Sequence, residues 1–156
     1  MFDAPLDSWY VWIALALTSV ATVGAAGTLP TAPPPDAAAL ANTVDRVAAA
    51  APGTVAEHPL DADAVELGPG RVGLRNGAGT VHARFVADSV VPVPDGSPLQ
   101  DVVFGTPPEA AFDSGRAFED AVVDARTREP SWEAVDRTVV VRRVSWEGSD
   151  VTLVDA

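Results

Sequence analysis

The chain has 156 residues, which leaves room for one small domain with one core once an apolar N-terminal stretch is set aside. Its 22 acidic residues against 10 basic ones give a net charge of -12, and every basic residue is Arg, so nucleic acid and other polyanions are not expected partners. Cysteine is absent, which excludes disulfides, thiol nucleophiles and thiolate metal sites.

Residues 1–8, "MFDAPLDS", form a short acidic tail. Residues 9–29 then carry no charge, and a helix of that length spans roughly 30 Å of hydrocarbon. They predict a transmembrane helix with the lipid bilayer as partner, its Trp9, Tyr10 and Trp12 placed at the membrane interface, where amphipathic rings prefer the headgroups. The small residues at 23–27 offer a cleavage site, but the tail has no Lys or Arg and the apolar run exceeds a secretory h-region, so a retained single-pass anchor is expected. Ala14, Thr18, Thr22 and Ala26 recur every four residues, a helix-packing stripe that an Ala- and Thr-rich segment also produces by composition alone. With no cation between this segment and Arg46, the N-terminal amine stays inside and the domain is expected on the outer side of the cell membrane. Type IV pilins share the layout of an apolar N-terminal helix and a small α+β head, but their basic leader, small residue at the cut and helix Glu are missing here.

Residues 30–35 are too proline-dense for helix and predict a semi-rigid linker, followed by a soluble domain over residues 36–156. Asp36 suits a helix N-cap, and Leu40, Val44, Val47 and Ala51 form one apolar face before Pro52-Gly53 closes the helix. Short strands are expected at 54–57 and 64–67. Around "NGAG", Val72, Leu74, Val81, Ala83 and Phe85 alternate with Arg71, Arg75, His82 and Arg84, the pattern of a hairpin with one apolar and one polar face. Residues 89–93 extend the sheet, but Pro92 and Pro94 make them an edge strand or an exit from it.

Ser97-Pro98 opens a short helix through Phe104, although "DVVF" reads equally well as strand. Phe112 and Asp113 read as staple and N-cap of a longer helix with Phe118, Ala121, Val122 and Ala125 on one face, ending at Glu129-Pro130. Residues 138–146 and 151–154 flank "EGSD" as a second hairpin. The fold class is α+β: a mainly antiparallel sheet and about two helices, with a small aliphatic core, since aromatics are only 6% of the chain.

No run of residues names a reaction, and no catalytic residue, cofactor or metal site is expected. His82 reads as a solvent-facing strand residue. Glu57, His58, Asp61 and Asp63 are metal-ligand types, but Pro59 interrupts them, and "DADAVE" has Val65 and Glu66 where a calcium loop needs an oxygen ligand and a glycine. Asp120 and Asp124 lie one helical turn apart with nothing nearby to bury them and tune a pKa. "GPGRVG" and "NGAGT" lack the Lys and following helix of a phosphate loop. Trp132 and Trp146 are the conspicuous large residues of the domain, readable as interface anchors or as core.

Together, "MFDAPLDSWYVW", "LPTAPPPDA", "LGPGRVGLRN" and "VSWEGSDVTLVDA" resemble a haloarchaeal family of small single-span membrane proteins with a domain of unknown function. The acidic, Lys-free composition is similar to that of proteins from salt-loving archaea. The resemblance implies a non-enzymatic accessory or structural protein of a surface or pilus/secretion-type assembly, with other membrane or surface-assembly proteins as partners. The alternative is a membrane-tethered ligand-binding or sensory domain.

Overall fold

A computed structural model describes residues 33–135 and 138–156. The expected transmembrane helix, with its interfacial Trp9, Tyr10 and Trp12 and the stripe of Ala14, Thr18, Thr22 and Ala26, lies outside the described residues. Among those residues no helix is long and apolar enough to cross a membrane.

The first helix, α1 (Ala37–Ala48), starts where Asp36 accepts a hydrogen bond from the Ala39 N–H at 2.9 Å, satisfying one of the donors that a helix N-terminus leaves open. Leu40, Val44 and Val47 are buried as expected, while the helix stops before Ala51, which is exposed. Gly53 (φ +88°) then turns the chain, a left-handed conformation that glycine adopts without a Cβ penalty.

Among the described residues eight strands follow: β1 (Val55–Pro59), β2 (Ala64–Gly68), β3 (Arg71–Asn76), β4 (Gly79–Arg84), β5 (Val90–Pro92), β6 (Trp132–Ala134), β7 (Thr138–Trp146) and β8 (Ser149–Asp155). They form two four-stranded sheets rather than the single sheet expected. The first runs β1-β7-β8-β5 and the second β4-β3-β2-β6. The second is antiparallel throughout; the first has one parallel pair, β5 with β8.

Burial explains the split. In β8 every residue from Val151 to Asp155 is buried, so the first sheet is covered on both faces, whereas β4 alternates, β3 exposes Arg71 and Arg75 around a buried Gly73, and the second sheet has one wet face. One core, with Leu40, Val44, Val72, Leu74, Val139 and Val141, lies where α1 meets both sheets. The other face of the first sheet carries a second core, with Leu99, Val103, Phe118, Val122, Val144 and Leu153. Aliphatic side chains fill most of the first core, as the composition implies, whereas the second is built around an aromatic group, Phe118 with Phe112 and Trp146.

That second core rests under four-turn-or-shorter helices: α2 (Pro98–Val103), α3 (Pro108–Ala111) and α4 (Gly115–Thr127). The described chain thus has four helices instead of about two, the short α3 being unforeseen. Of "DVVF" the first three residues are helical, Phe104 is the C-cap, and Gly105 (φ +114°) turns the chain away. The N-cap of α4 is Ser114, whose hydroxyl accepts from the Ala117 N–H at 3.2 Å, one residue later than the expected Asp113. Either residue type caps a helix; here the first helical residue, Gly115, also gives its N–H to the Glu147 carboxylate at 2.9 Å. The second hairpin turns on Glu147 and Gly148 alone, both at positive φ, as the twist of a two-residue hairpin loop requires.

Candidate interaction face

The wet side of the second sheet is set by register. Pairing places Trp132 beside Glu66, Glu66 beside Gly73 and Gly73 beside His82, so these four residues form one row across the sheet. The rows on either side contribute Arg75 next to Thr80 and Arg71 next to Arg84. Side chains two apart on a strand share a face, so Arg71, Arg75, His82, Arg84 and Trp132 all point away from the core.

Gly73 makes the centre of this face possible. A Cβ there would lie 2.8 Å from His82 Cδ2 and 3.0 Å from Trp132 Cη2, so the two rings close over the glycine backbone from opposite strands. They meet edge to face with centroids 6.0 Å apart. The Arg75 guanidinium carbon sits 4.7 Å from the Trp132 ring centroid, within cation–π range. Glu66 lies beneath, its side chain only 14% exposed, with Arg71 Nη2 at 3.4 Å and His82 Nε2 at 3.8 Å from the same carboxylate oxygen. One arginine, Arg71, and the His82 imidazole thus meet one largely covered acid, while Arg75 lies over the neighbouring indole, on a chain whose net charge is -12.

The edge strand carrying Trp132 is itself fixed locally. Pro130 packs against Gly68, where an added Cβ would lie 3.1 Å from Pro130 Cγ, and Ser131 Oγ donates to Glu133 Oε1 at 3.0 Å. Where the domain begins, Asn76 donates to the carbonyls of Pro33 and Asp61, both at 3.0 Å, tying the end of the proline linker to the hairpin turn.

The other singled-out residues lie elsewhere. Trp146, half-buried like Trp132, packs edge to face on Phe118 at 5.8 Å against the second core. His58 Nδ1 is 3.1 Å from the Thr43 hydroxyl on α1. Among the described residues no three His, Asp or Glu side chains converge as a metal site, and Glu57, His58, Asp61 and Asp63 are not brought together. Asp120 is exposed and 3.9 Å from Arg116, and Asp124 is exposed on the same helix. The more enclosed cleft, lined by Val65, Leu67, Pro94 and Pro130 among others, measures about 60 Å³. Larger depressions of about 440 and 420 Å³, beside Asp45 and beside Gly115, are open to solvent.

Alternation alone sets Arg71, Arg75, His82 and Arg84 on one face. What the sequence reading missed is β6, a three-residue strand that pairs with β2 across more than sixty residues of chain and so delivers Trp132 to the arginines.

Fold and face define a small two-sheet α+β domain whose exposed sheet face is cationic and aromatic. The profile of a family of unknown function, DUF7283, matches residues 3–144, and the chain belongs to that family. No curated protein and no solved structure matches it.

Proposed function

We propose that the chain is a non-enzymatic, single-pass membrane-anchored accessory protein of a haloarchaeal surface or pilus/secretion-type assembly, and that its head docks on neighbouring subunits through the outer face of the second sheet. One observation carries the docking role: Arg71, Arg75, Arg84 and Trp132 gather on an exposed face of a strongly acidic chain. Arg and Trp are the residue types most enriched at binding hot spots. The uncharged stretch at 9–29 and the Lys-free acidity support the anchored and salt-adapted parts of the reading. A tethered ligand-binding role is less well supported: the more enclosed cleft holds only about 60 Å³, and the depressions of about 440 and 420 Å³, though within the roughly 300–1,000 Å³ of small-molecule pockets, are open to solvent and would not bury most of a ligand.

The test is fractionation and crosslinking of the whole chain in expressing cells. It should remain with membranes after carbonate extraction, and a photo-crosslinker at Thr80, beside Arg75, should capture protein neighbours that are lost on Arg75→Glu. A chain released as a soluble protein, or a head that captures nothing, would overturn the reading.

A further inference from the structure

We infer that the partner of the cationic sheet face is a second copy of this chain, which presents the outer side of its α4. This rests on the docking reading above and names its occupant. The outer side of α4 is largely the complement of the sheet face: Val123, an exposed large apolar residue, is flanked by exposed Glu119, Asp120 and Asp124, with one exposed cation, Arg116, 3.9 Å from Asp120 at the start of the helix. One surface is an aromatic ring among cations, and the other is an apolar side chain among carboxylates. The 13 residues of α4 give a helix about 20 Å long. Four strands at about 4.8 Å spacing give a face of similar width, so the helix fits across the sheet.

The two surfaces belong to different sides of the domain, since α4 covers the face of the first sheet that points away from α1 and the second sheet. Contact between copies is therefore head-to-tail and propagates as open chains instead of closing as a symmetric pair. A single helix covers only a few hundred Å² per partner, below the roughly 800 Å² of a standard stable interface. The contact is weak between free molecules and strengthens when chains are held at high local concentration.

Charge exchange tests this with the whole chain in detergent micelles, at a salt concentration where circular dichroism shows it folded. Sedimentation velocity over a concentration series should show wild-type association into species larger than dimers. Arg75→Glu alone and Asp124→Arg alone should each abolish it, because each then sets like charge against like. An equimolar mixture of the two variants, and the double variant Arg75→Glu/Asp124→Arg, should associate again. The inference fails if the double variant and the mixture remain monomeric, or if wild-type association is untouched by either single change. If the wild type is monomeric yet the Thr80 crosslinker captures other proteins, self-association fails and the docking reading stands. If it is monomeric and captures nothing, both fail.

Discussion

Arg142 and Arg143, adjacent on β7, each close the C-terminus of a different helix on opposite faces of the same sheet. Arg142 Nε donates to the Val103 carbonyl, the last of α2, at 2.7 Å; Arg143 Nη1 donates to the Ala48 carbonyl, the last of α1, at 2.8 Å. A strand points consecutive side chains to opposite faces, and a helix C-terminus leaves unpaired carbonyls with partial negative charge, so one dipeptide serves two layers.

Replacing either arginine by Ala should therefore destabilise the fold by about 1.5–3 kcal/mol, the usual contribution of a charge-assisted hydrogen bond. The two share no partner, so the double variant should lose the sum to within about 0.5 kcal/mol. Arg143→Ala should fall at the lower end, because its Nε is buried with no partner and removing it relieves a cost. Urea unfolding of the three variants measures this; a strongly sub-additive double variant would mean that the two helices do not respond independently.

Gly73→Ala addresses the candidate face without touching a charge. The added methyl would meet both His82 and Trp132 at or below 3.0 Å, so the rings must separate. The backbone stays extended and, although Gly73 itself is buried, the His82 ring above it is exposed and free to move aside, which limits the loss to about 1 kcal/mol, the low end for overpacking. The near-ultraviolet circular dichroism of the tryptophans should change while the far-ultraviolet spectrum does not. Unchanged near-ultraviolet signal would show that the ring pair is not held over the glycine.

Much of this was legible from local pattern. Asp36 as cap, the Arg71–Arg84 hairpin, the edge strand at Pro92 and the buried side of α4 all follow from periods of two or about four residues and from turn chemistry. What was not legible is pairing at long range. The division into two sheets depends on β1 meeting β7 and β6 meeting β2, and nothing in "VAEHP" or "WEA" specifies those partners. The candidate face shares that limit: its arginines are visible in one hairpin, while its tryptophan arrives from a strand too short to show a period.

Asp45 illustrates a hidden long-range tie and gives a further prediction. Its carboxylate, on α1, accepts from the Val86 N–H at 2.9 and 3.1 Å and from the Ala87 N–H at 2.9 Å, holding the loop between β4 and β5 although Val86 itself is 91% exposed. Asp45→Ala leaves both amides without this acceptor; water replaces it in part, and the loss should be about 1–2 kcal/mol. Asp45→Asn keeps one acceptor oxygen and should recover roughly half. Hydrogen exchange at Val86 and Ala87 should accelerate in the Ala variant and only modestly in the Asn variant. Equal exchange in all three would remove the tie.

Asp155, the last residue of β8, is a buried acid with a pH signature. Burial raises its pKa above the ordinary 3.8; the hydrogen bond from Gln100 Nε2 at 3.0 Å opposes this, and the nearby charge of Asp95 adds to it. The folded state thus holds the proton more tightly than the unfolded one. The stability it contributes is fully present below the ordinary carboxylate range and is lost as pH rises through the raised value. Asp155→Asn removes the charge and keeps an acceptor for Gln100. The variant should match the wild type in acid, gain on it as pH rises from about 4, and hold a constant advantage once the wild-type carboxyl is ionised. Because both proteins share every other carboxylate, the difference between their unfolding free energies cancels the general self-repulsion of a chain this acidic. Urea melts at half-unit steps from pH 4 to 8 give that difference directly; a variant whose advantage is flat with pH, or shrinks as pH rises, would mean that Asp155 is not the group burdened by burial.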